Sequence, residues 1–398
     1  MDNALRFVDA DGHILEHPTG MLDYAPAEWR DRIWHIETDA DGEEWTSFYG
    51  ARRSANSSAS AGTAGMSNAD RERAMRRELK YTEVRPAAYN AKPRLEDMTA
   101  DDIDISVLYP TLLLGLPSHP DVEFAEVQCR AYNGWLSDHC AEGEGRLYGA
   151  AMVPQQDIER AAAEIRRAAR LPFMVAAFLR PNPTAGKHFL DPVYDPIWEA
   201  AADTGLPIGF HPFLEADLPG ACVGLSLSRL GVSRIDLGPE AEQRNFDNIF
   251  FTQAIANPVD MMTTLTFITA GGVAARFPDT RFVFLEANGG WLVPWLERLD
   301  HHYDIFGWDV PTLKMPPSEY FRRQCWISFD ADESTLAFTA NSPLCGADRI
   351  IWATDYPHPD AKFPGVTQEL REAIAPLDRR DQQLIAGDNA LELYGISD

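Results

Sequence analysis

The sequence predicts a single (β/α)8 TIM barrel, and three observations favour this α/β fold class. Short apolar runs alternate with amphipathic segments from about residue 100 to the end of the 398-residue chain. Eight of these runs have the length and composition of buried parallel strands. Hard polar residues follow several of them, at the edge where such a barrel builds its active site. We therefore expect residues 1–398 to form one barrel domain.

The first predicted strand, 5–11, leads directly into acidic and histidine side chains. Each later strand is a short, largely apolar run, as expected for strands covered on both faces. These later strands are 103–110, 146–154, 173–180, 206–211, 281–286, 325–330 and 349–355.

Segments with helical periodicity lie between these strands. Each has Pro, Asp or Asn near its start, where such residues cap a helix or fill its first turn. The predicted helices are 122–141, 157–169, 192–204, 257–277 and 290–306.

Two stretches interrupt the alternation of strands and helices. Residues 36–95 are polar and rich in Ala, Ser, Gly and Arg, so we interpret them as a lid-like insertion after strand one. Long loops at this edge of a barrel are often functional, although a disordered excursion without a role is the alternative. Residues 212–256 form a second excursion, after strand five, and carry Arg229, Arg234 and Arg244.

The charge and the cysteine content limit which classes of partner and which cellular compartment we expect. The chain has 35 basic and 61 acidic residues, a net charge of −26, which argues against nucleic acid and anionic membranes as partners. The five cysteines are widely spaced, and no apolar run is long enough to span a membrane. The N-terminal segment lacks the pattern of a signal peptide. A cytoplasmic location is the expectation.

Candidate metal ligands lie at the ends of strands one, five and eight. Asp11 and His13 are two residues apart, so they point to one side of an extended segment. His211 ends strand five, and strand eight ends in Asp355, with His358 three residues further on. Carboxylate and imidazole ligands suit Zn²⁺, Mn²⁺ or Fe²⁺. Taken singly, each residue could equally be a structural histidine or a turn residue; their shared position at strand ends favours a site.

These motifs resemble the amidohydrolase superfamily, in particular the branch of aminocarboxymuconate-semialdehyde decarboxylase and the resorcylate and carboxyvanillate decarboxylases. The resemblance covers most of the chain apart from 36–95 and 213–256. It rests on the D-x-H after strand one, the strand-five histidine, T-D-Y-P-H after strand eight, and the segments 94–110, 178–183, 191–212, 277–300 and 387–395.

The resemblance implies one divalent ion, with zinc the first expectation and manganese or iron the alternatives, held by Asp11, His13, His211 and Asp355. It also implies a homodimer. The branch's catalytic strand-six histidine has no counterpart, because Glu286 stands in that region. Glu286 could act as an acid or base, support the ligands from outside, or be an ordinary loop carboxylate.

Two further residues lie at strand ends. Arg180 ends strand four, so its guanidinium could hold a substrate carboxylate through two hydrogen bonds, or could pair with a loop acid. Glu333 follows strand seven, where a surface acid is the simpler interpretation.

Two activities fit this ligand set. The first is non-oxidative decarboxylation of an aromatic or unsaturated carboxylic acid, with Arg180 orienting the substrate and Asp355 or Glu286 delivering the proton. The second is hydrolysis of a C–N, C–O or C–C bond by a metal-activated water, with Asp355 taking its proton. A barrel that only binds or scaffolds would show a broken ligand set, whereas all four positions are filled here.

Overall fold

Parallel strands arranged in chain order form the centre of the described part of the molecule, which in this computed structural model comprises residues 5–184, 186–213, 250 and 252–397. An eight-stranded parallel sheet has the order β1-β5-β6-β7-β8-β9-β10-β11, and β2, β3 and β4 form a separate antiparallel sheet. The strands are β1 (Val8–Ile14), β2 (His35–Thr38), β3 (Glu44–Phe48), β4 (Ala51–Ser54), β5 (Ile105–Pro110), β6 (Leu147–Met152), β7 (Met174–Leu179), β8 (Ile208–Phe210), β9 (Phe282–Phe284), β10 (Cys325–Asp330) and β11 (Ile350–Ala353).

Helices surround the large sheet, and short 3₁₀ turns join several of them. Asp121 and Asp157 cap two of the helices by accepting hydrogen bonds from Phe124 N and Arg160 N. The helices are α1 (Asn56–Ala59), α2 (Asn68–Met75), α3 (Ala91–Ala100), α4 (Val122–Ala141), α5 (Ile158–Ala168), α6 (Asp195–Thr204), α7 (Asn257–Ile268), α8 (Val273–Arg276), α9 (Leu292–Phe306), α10 (Pro317–Gln324), α11 (Leu336–Ala340), α12 (Val366–Ile374), α13 (Arg379–Gln383) and α14 (Asn389–Tyr394).

The predicted (β/α)8 barrel is confirmed, with every predicted strand present and several of them shorter than expected. The predicted helix 257–277 is wrong as a single element, because it divides into α7 and α8. Gly271 and Gly272 lie at the break, and Gly272 has a left-handed φ of 83° that ends a helix readily. None of the described helices is both long and apolar enough to cross a membrane.

The barrel closes where β11 meets β1. Asp355 N donates to Asp11 O at 3.3 Å, and His13 N donates to Tyr356 O at 2.8 Å. The buried Asp9 carboxylate reinforces this seam by accepting from Thr354 N at 2.9 Å and from Thr354 Oγ1 at 3.0 Å. The backbone that carries the candidate ligands is thus also the backbone that closes the barrel.

Much of the segment 36–95 has regular structure, since it contains β3, β4, α1 and α2 and parts of β2 and α3. Ala64 N donates to Pro357 O at 3.1 Å, and Arg71 Nη1 donates to Pro359 O at 3.4 Å, so the segment contacts the loop after β11. Most of the predicted excursion 212–256, including its three arginines, lies outside the described residues.

Candidate functional site

Five predicted site residues converge at the carboxyl ends of the barrel strands. Asp11 and His13 lie on β1, His211 directly follows β8, Glu286 follows β9 and Asp355 follows β11. Asp11, His13 and His211 are at most 2% exposed, whereas the Glu286 and Asp355 side chains keep 20% and 19% exposure. The structure therefore brings the four predicted ligands together and adds Glu286 to them.

The ligand atoms of this cluster lie close to one another. His13 Nε2 is 3.0 Å from His211 Nε2, 3.3 Å from Asp355 Oδ1 and 3.8 Å from Asp11 Oδ1. His211 Nε2 is 3.9 Å from Asp11 Oδ1. Two groups of side chains among the described residues could hold a metal ion, namely Asp11, His13 and His211, and His13, Glu286, Asp355 and His358.

Backbone carbonyls fix the orientation of both imidazoles. His13 Nδ1 donates to Pro110 O at 2.8 Å and His211 Nδ1 donates to Pro212 O at 2.7 Å. Each Nε2 therefore faces the cluster, which is the usual orientation of a metal-binding histidine and its supporting hydrogen bond.

This arrangement fits a cation. The Nε2 atoms of His13 and His211 lie 3.0 Å apart, so one positive ion could lie beside both of them. Asp11 Oδ1 is buried without a hydrogen bond, and Glu286 Oε2 lies 2.7 Å from His211 Nε2. Because buried polar atoms are nearly always paired, the orphaned Asp11 oxygen fits a bound ion. Oxygen and imidazole ligands with no thiolate suit a divalent metal at a catalytic site.

Burial and mutual charge shift the pKa values of the clustered groups in different directions. Burial raises the pKa of Asp11 and of Asp355 well above the usual range, and the carboxylate of Glu286 raises both further. Burial lowers the pKa of His13 to about 3. Burial alone would also raise the pKa of Glu286, but the adjacent His211 outweighs it and lowers that pKa. Burial alone would lower the pKa of His211, but the Glu286 and Asp11 carboxylates outweigh it and raise that pKa. A divalent cation would stabilise this cluster of closely spaced carboxyl groups.

His358 and Thr111 extend the cluster beyond the predicted ligands. His358 Nδ1 donates to Asp355 Oδ1 at 2.6 Å, and His358 Nε2 lies 3.2 Å from Thr111 Oγ1. The His358 ring also packs against that of His13, with 4.1 Å between centroids. The T-D-Y-P-H motif pointed to His358, whereas Thr111 follows β5 in an ordinary loop and carries no signal in the sequence.

Two of the carboxylates belong to residues with a left-handed backbone conformation. Glu286 has a φ of 43° and Asp355 a φ of 55°. Non-glycine residues adopt this region at a cost of about 1–3 kcal/mol and are concentrated at functional sites. The strand ends therefore turn sharply at the residues whose side chains enter the cluster.

Arg180 and Glu333 occupy different surroundings. Arg180 is 1% exposed; its backbone N donates to Gln155 Oε1 at 2.9 Å, and its Nη2 lies 3.4 Å from Asn182 Oδ1. Its role toward a substrate stays a prediction. Glu333 accepts hydrogen bonds from Gly289 N at 3.1 Å and Asp330 N at 3.0 Å, so it supports the loops after β9 and β10.

A cavity of about 570 Å³ adjoins the cluster at the barrel mouth. Asp11, Glu286 and Asp355 form part of its wall, and Arg71 from the segment 36–95 forms another part. The other polar residues that line it include Gln253, Asn288, Asp330, Asp332, Asp360 and Lys362. The cavity gives a small molecule access to the ligand atoms.

The model of the family described as Amidohydrolase matches residues 8–396. The chain belongs to the amidohydrolase family. Two relatives place this amidohydrolase among enzymes of the carboxy-lyase branch. It is 33% identical over 309 residues to decarboxylase orsB of Emericella nidulans, covering 76% of this chain and 85% of that protein. It is 24% identical over 324 residues to 2-amino-3-carboxymuconate-6-semialdehyde decarboxylase of Dictyostelium discoideum, covering 79% of each.

Solved structures share the amidohydrolase barrel. Amidohydrolase map2389c of Mycobacterium avium subsp. paratuberculosis superposes with a TM-score of 0.70 at 19% identity, covering 98% of this chain and 99% of that one. A 5-carboxyvanillate decarboxylase of Novosphingobium aromaticivorans, solved with manganese and 4-hydroxy-3-methoxy-5-nitrobenzoic acid, has a TM-score of 0.63 at 19% identity and covers 99% of this chain and 97% of that one.

Proposed function

We propose that this amidohydrolase is a metal-dependent, non-oxidative decarboxylase of an aromatic or unsaturated carboxylic acid. The observation that carries the proposal is that Asp11, His211 and Asp355 all lie around His13, in two overlapping groups of candidate ligands beside a cavity at the barrel mouth. The decarboxylases among its relatives, one of them solved with manganese, support this choice of reaction and of a divalent ion.

Different residues of the chain would bind the ion and orient the substrate. Asp11, His13, His211 and Asp355 would hold the ion, which when bound supplies positive charge for a substrate carboxylate and an adjacent oxygen. Arg180 would orient the substrate from the end of β7.

The bond to the carboxylate carbon breaks and its electron pair stays on the substrate carbon. That carbon takes a proton from Asp355 or Glu286 as CO2 leaves, and water restores the proton to the side chain. His358 would keep the Asp355 carboxylate oriented through its 2.6 Å hydrogen bond.

One observation favours hydrolysis as a second candidate. Asp330, Asp332 and Asp360 line the cavity and are not complementary to an anionic substrate, although Arg71 and Lys362 lie in the same wall. In a hydrolase, Asp355 would take a proton from the attacking water.

The test combines elemental analysis with product analysis in heavy water. The purified chain, loaded with Mn²⁺ or Zn²⁺, is given a panel of hydroxylated aromatic acids in D2O while headspace CO2 is measured. A decarboxylase releases CO2 and leaves one deuterium on the carbon that lost the carboxylate. Hydrolysis of ester or amide analogues without CO2 release would establish the second candidate instead.

His211→Ala is the matched variant for this experiment. Removal of one imidazole should abolish metal retention and reduce CO2 release to background, while the far-UV circular dichroism stays that of the parent. Full metal occupancy in His211→Ala would contradict the proposed ligand set.

A further inference from the structure

We infer that Glu286 is itself a ligand of the ion, so that the strand-six position of this barrel carries a metal-binding carboxylate. The inference rests on the metal-dependent function proposed above. Glu286 Oε2 lies 2.7 Å from His211 Nε2 and 3.6 Å from His13 Nε2. These are the two nitrogens that face the cluster, since the opposite ring nitrogens donate to backbone carbonyls.

The separations within the cluster are those expected of atoms that share one ion. Ligand atoms about 2.1 Å from a metal lie about 3 Å apart at right angles and about 4.2 Å apart on opposite sides. The 3.6 Å from Glu286 Oε2 to His13 Nε2 lies within this range, as does the 3.3 Å from His13 Nε2 to Asp355 Oδ1, and the 2.7 Å from Glu286 Oε2 to His211 Nε2 lies slightly below it. Glu286 is therefore about as close to His13 as the predicted ligand Asp355 is.

A supporting role outside the ligand shell does not fit this geometry. A carboxylate that supports a metal-bound histidine accepts from the ring nitrogen that faces away from the ion. In both histidines that nitrogen, Nδ1, already donates to a backbone carbonyl, of Pro110 or of Pro212. Glu286 Oε2 lies instead on the Nε2 side of both rings.

The backbone around Glu286 holds the carboxylate in place. β9 ends at Phe284, and the chain turns at Glu286 with a left-handed φ of 43°. Asn288 Nδ2 donates to Asp330 Oδ2 at 2.8 Å, and Glu333 accepts from Gly289 N, so the loop is tied to the end of β10. A strained conformation that the surrounding loops maintain is typical of a residue with a positional role.

A fifth ligand changes the character of the site. Asp11, Glu286 and Asp355 would contribute three carboxylates beside two imidazoles. An oxygen-rich ligand set of this kind suits Mn²⁺ better than Zn²⁺, because zinc typically occupies four-coordinate sites of nitrogen and sulfur ligands. The inference thus favours Mn²⁺ as the resident ion.

The experiment measures metal binding without substrate. Metal-free parent, Glu286→Ala and Glu286→Gln are titrated with Mn²⁺ alone, and the visible absorption of each is recorded after loading with Co²⁺. The Mn²⁺ Kd should rise at least ~10-fold in both variants. The Co²⁺ absorption should also change in shape and intensity, because Glu286→Ala removes a coordinating oxygen and Glu286→Gln replaces a carboxylate oxygen with a neutral amide oxygen. Asp332→Asn, which removes a negative charge from the same cavity, serves as the matched control and should leave the spectrum unchanged.

Glu286→His tests the ligand position in the opposite sense. Histidine tolerates left-handed backbone better than most residues and offers nitrogen in place of oxygen, so the ratio of Zn²⁺ to Mn²⁺ affinity should rise. If the Co²⁺ spectra of Glu286→Ala and Glu286→Gln are the same as that of the parent, the inference is overturned. This holds even if both variants bind the ion more weakly, because weaker binding with an unchanged spectrum is the result expected for a residue that supports the ligands without binding the ion. The metal titration contains no substrate, so a chain that releases no CO2 in the activity assay contradicts the proposed decarboxylase function but not the inference about Glu286. A parent chain that binds no divalent ion overturns both.

Discussion

At the scale of single residues, the sequence predicts the side chains of the site better than it predicts their surroundings. Asp11, His13, His211 and Asp355 converge as expected, because residues at the carboxyl ends of parallel strands share one edge. The direction of the Glu286 carboxylate was not predictable, since it depends on a left-handed backbone that no local pattern reveals. The contact of Arg180 N with Gln155 Oε1 was equally hidden, because Gln155 lies in the loop after the preceding strand.

Asp355 carries two roles that one substitution can separate. Asp355→Asn keeps the shape and one coordinating oxygen but cannot carry a proton, so turnover should fall by ~10²–10⁴-fold while some metal is retained. Steady-state CO2 release and metal content, measured on the same preparation, check this. Undiminished turnover by a metal-loaded Asp355→Asn variant would assign proton transfer to Glu286 or His358.

Arg180 is tested by a change that preserves its charge. Arg180→Lys loses the planar pair of donors that holds a carboxylate, so kcat/KM should fall at least ~10-fold if the residue orients the substrate. Arg166→Lys is the control, because it makes the same change in an exposed ion pair on α5. Equal kinetics for these two variants would leave Arg180 with a structural role.

At the scale of elements, apolar runs predict which strands exist, and tertiary contacts decide where they end. The eight barrel strands were recognisable because both of their faces are buried. The small sheet β2-β3-β4 was not, because its strands are polar and every residue of Ala51–Ser54 is exposed. Its pairing depends on contacts with neighbouring strands rather than on a hydrophobic pattern.

Glu16 shows how one buried side chain joins two elements. Its carboxylate, after β1, accepts hydrogen bonds from the backbone N–H groups of Thr111, Leu112 and Leu113 after β5. Burial nevertheless outweighs these donors and raises the pKa of Glu16 from 4.5 to about 6. The folded chain therefore holds this proton more tightly than the unfolded chain does.

The stabilising contribution of Glu16 protonation should be present below pH about 4.5 and lost as the pH rises through about 6, which amounts to about 2 kcal/mol. Glu16→Gln cannot lose a proton, so the free energy of unfolding of the parent relative to this variant should fall by that amount across the interval. Denaturant unfolding of the metal-free proteins at several pH values measures it. Glu123→Gln, at an exposed position of α4, should show no such trend.

At the scale of the whole molecule, a bound ion and the fold stabilise each other. An ion that binds only the folded chain adds about 4 kcal/mol at a concentration 1,000 times its Kd. We therefore expect Mn²⁺ to raise the Tm of the parent by several degrees, and a chelator to reverse the rise. The net charge of −26 also attracts cations without specificity, so His211→Ala at the same Mn²⁺ concentration is the control. A rise of equal size in His211→Ala would assign the effect to general charge neutralisation.

The seam between β11 and β1 has a consequence for the order of folding. The hydrogen bond between Asp9 and Thr354 joins residues 345 positions apart, so it forms only after nearly the whole chain has been ordered. A ribosome-bound chain that ends before residue 355 lacks Asp355 and the strand that closes the barrel around the other ligands. Tight metal capture therefore reports barrel closure, and products truncated before this strand would bind the ion less tightly.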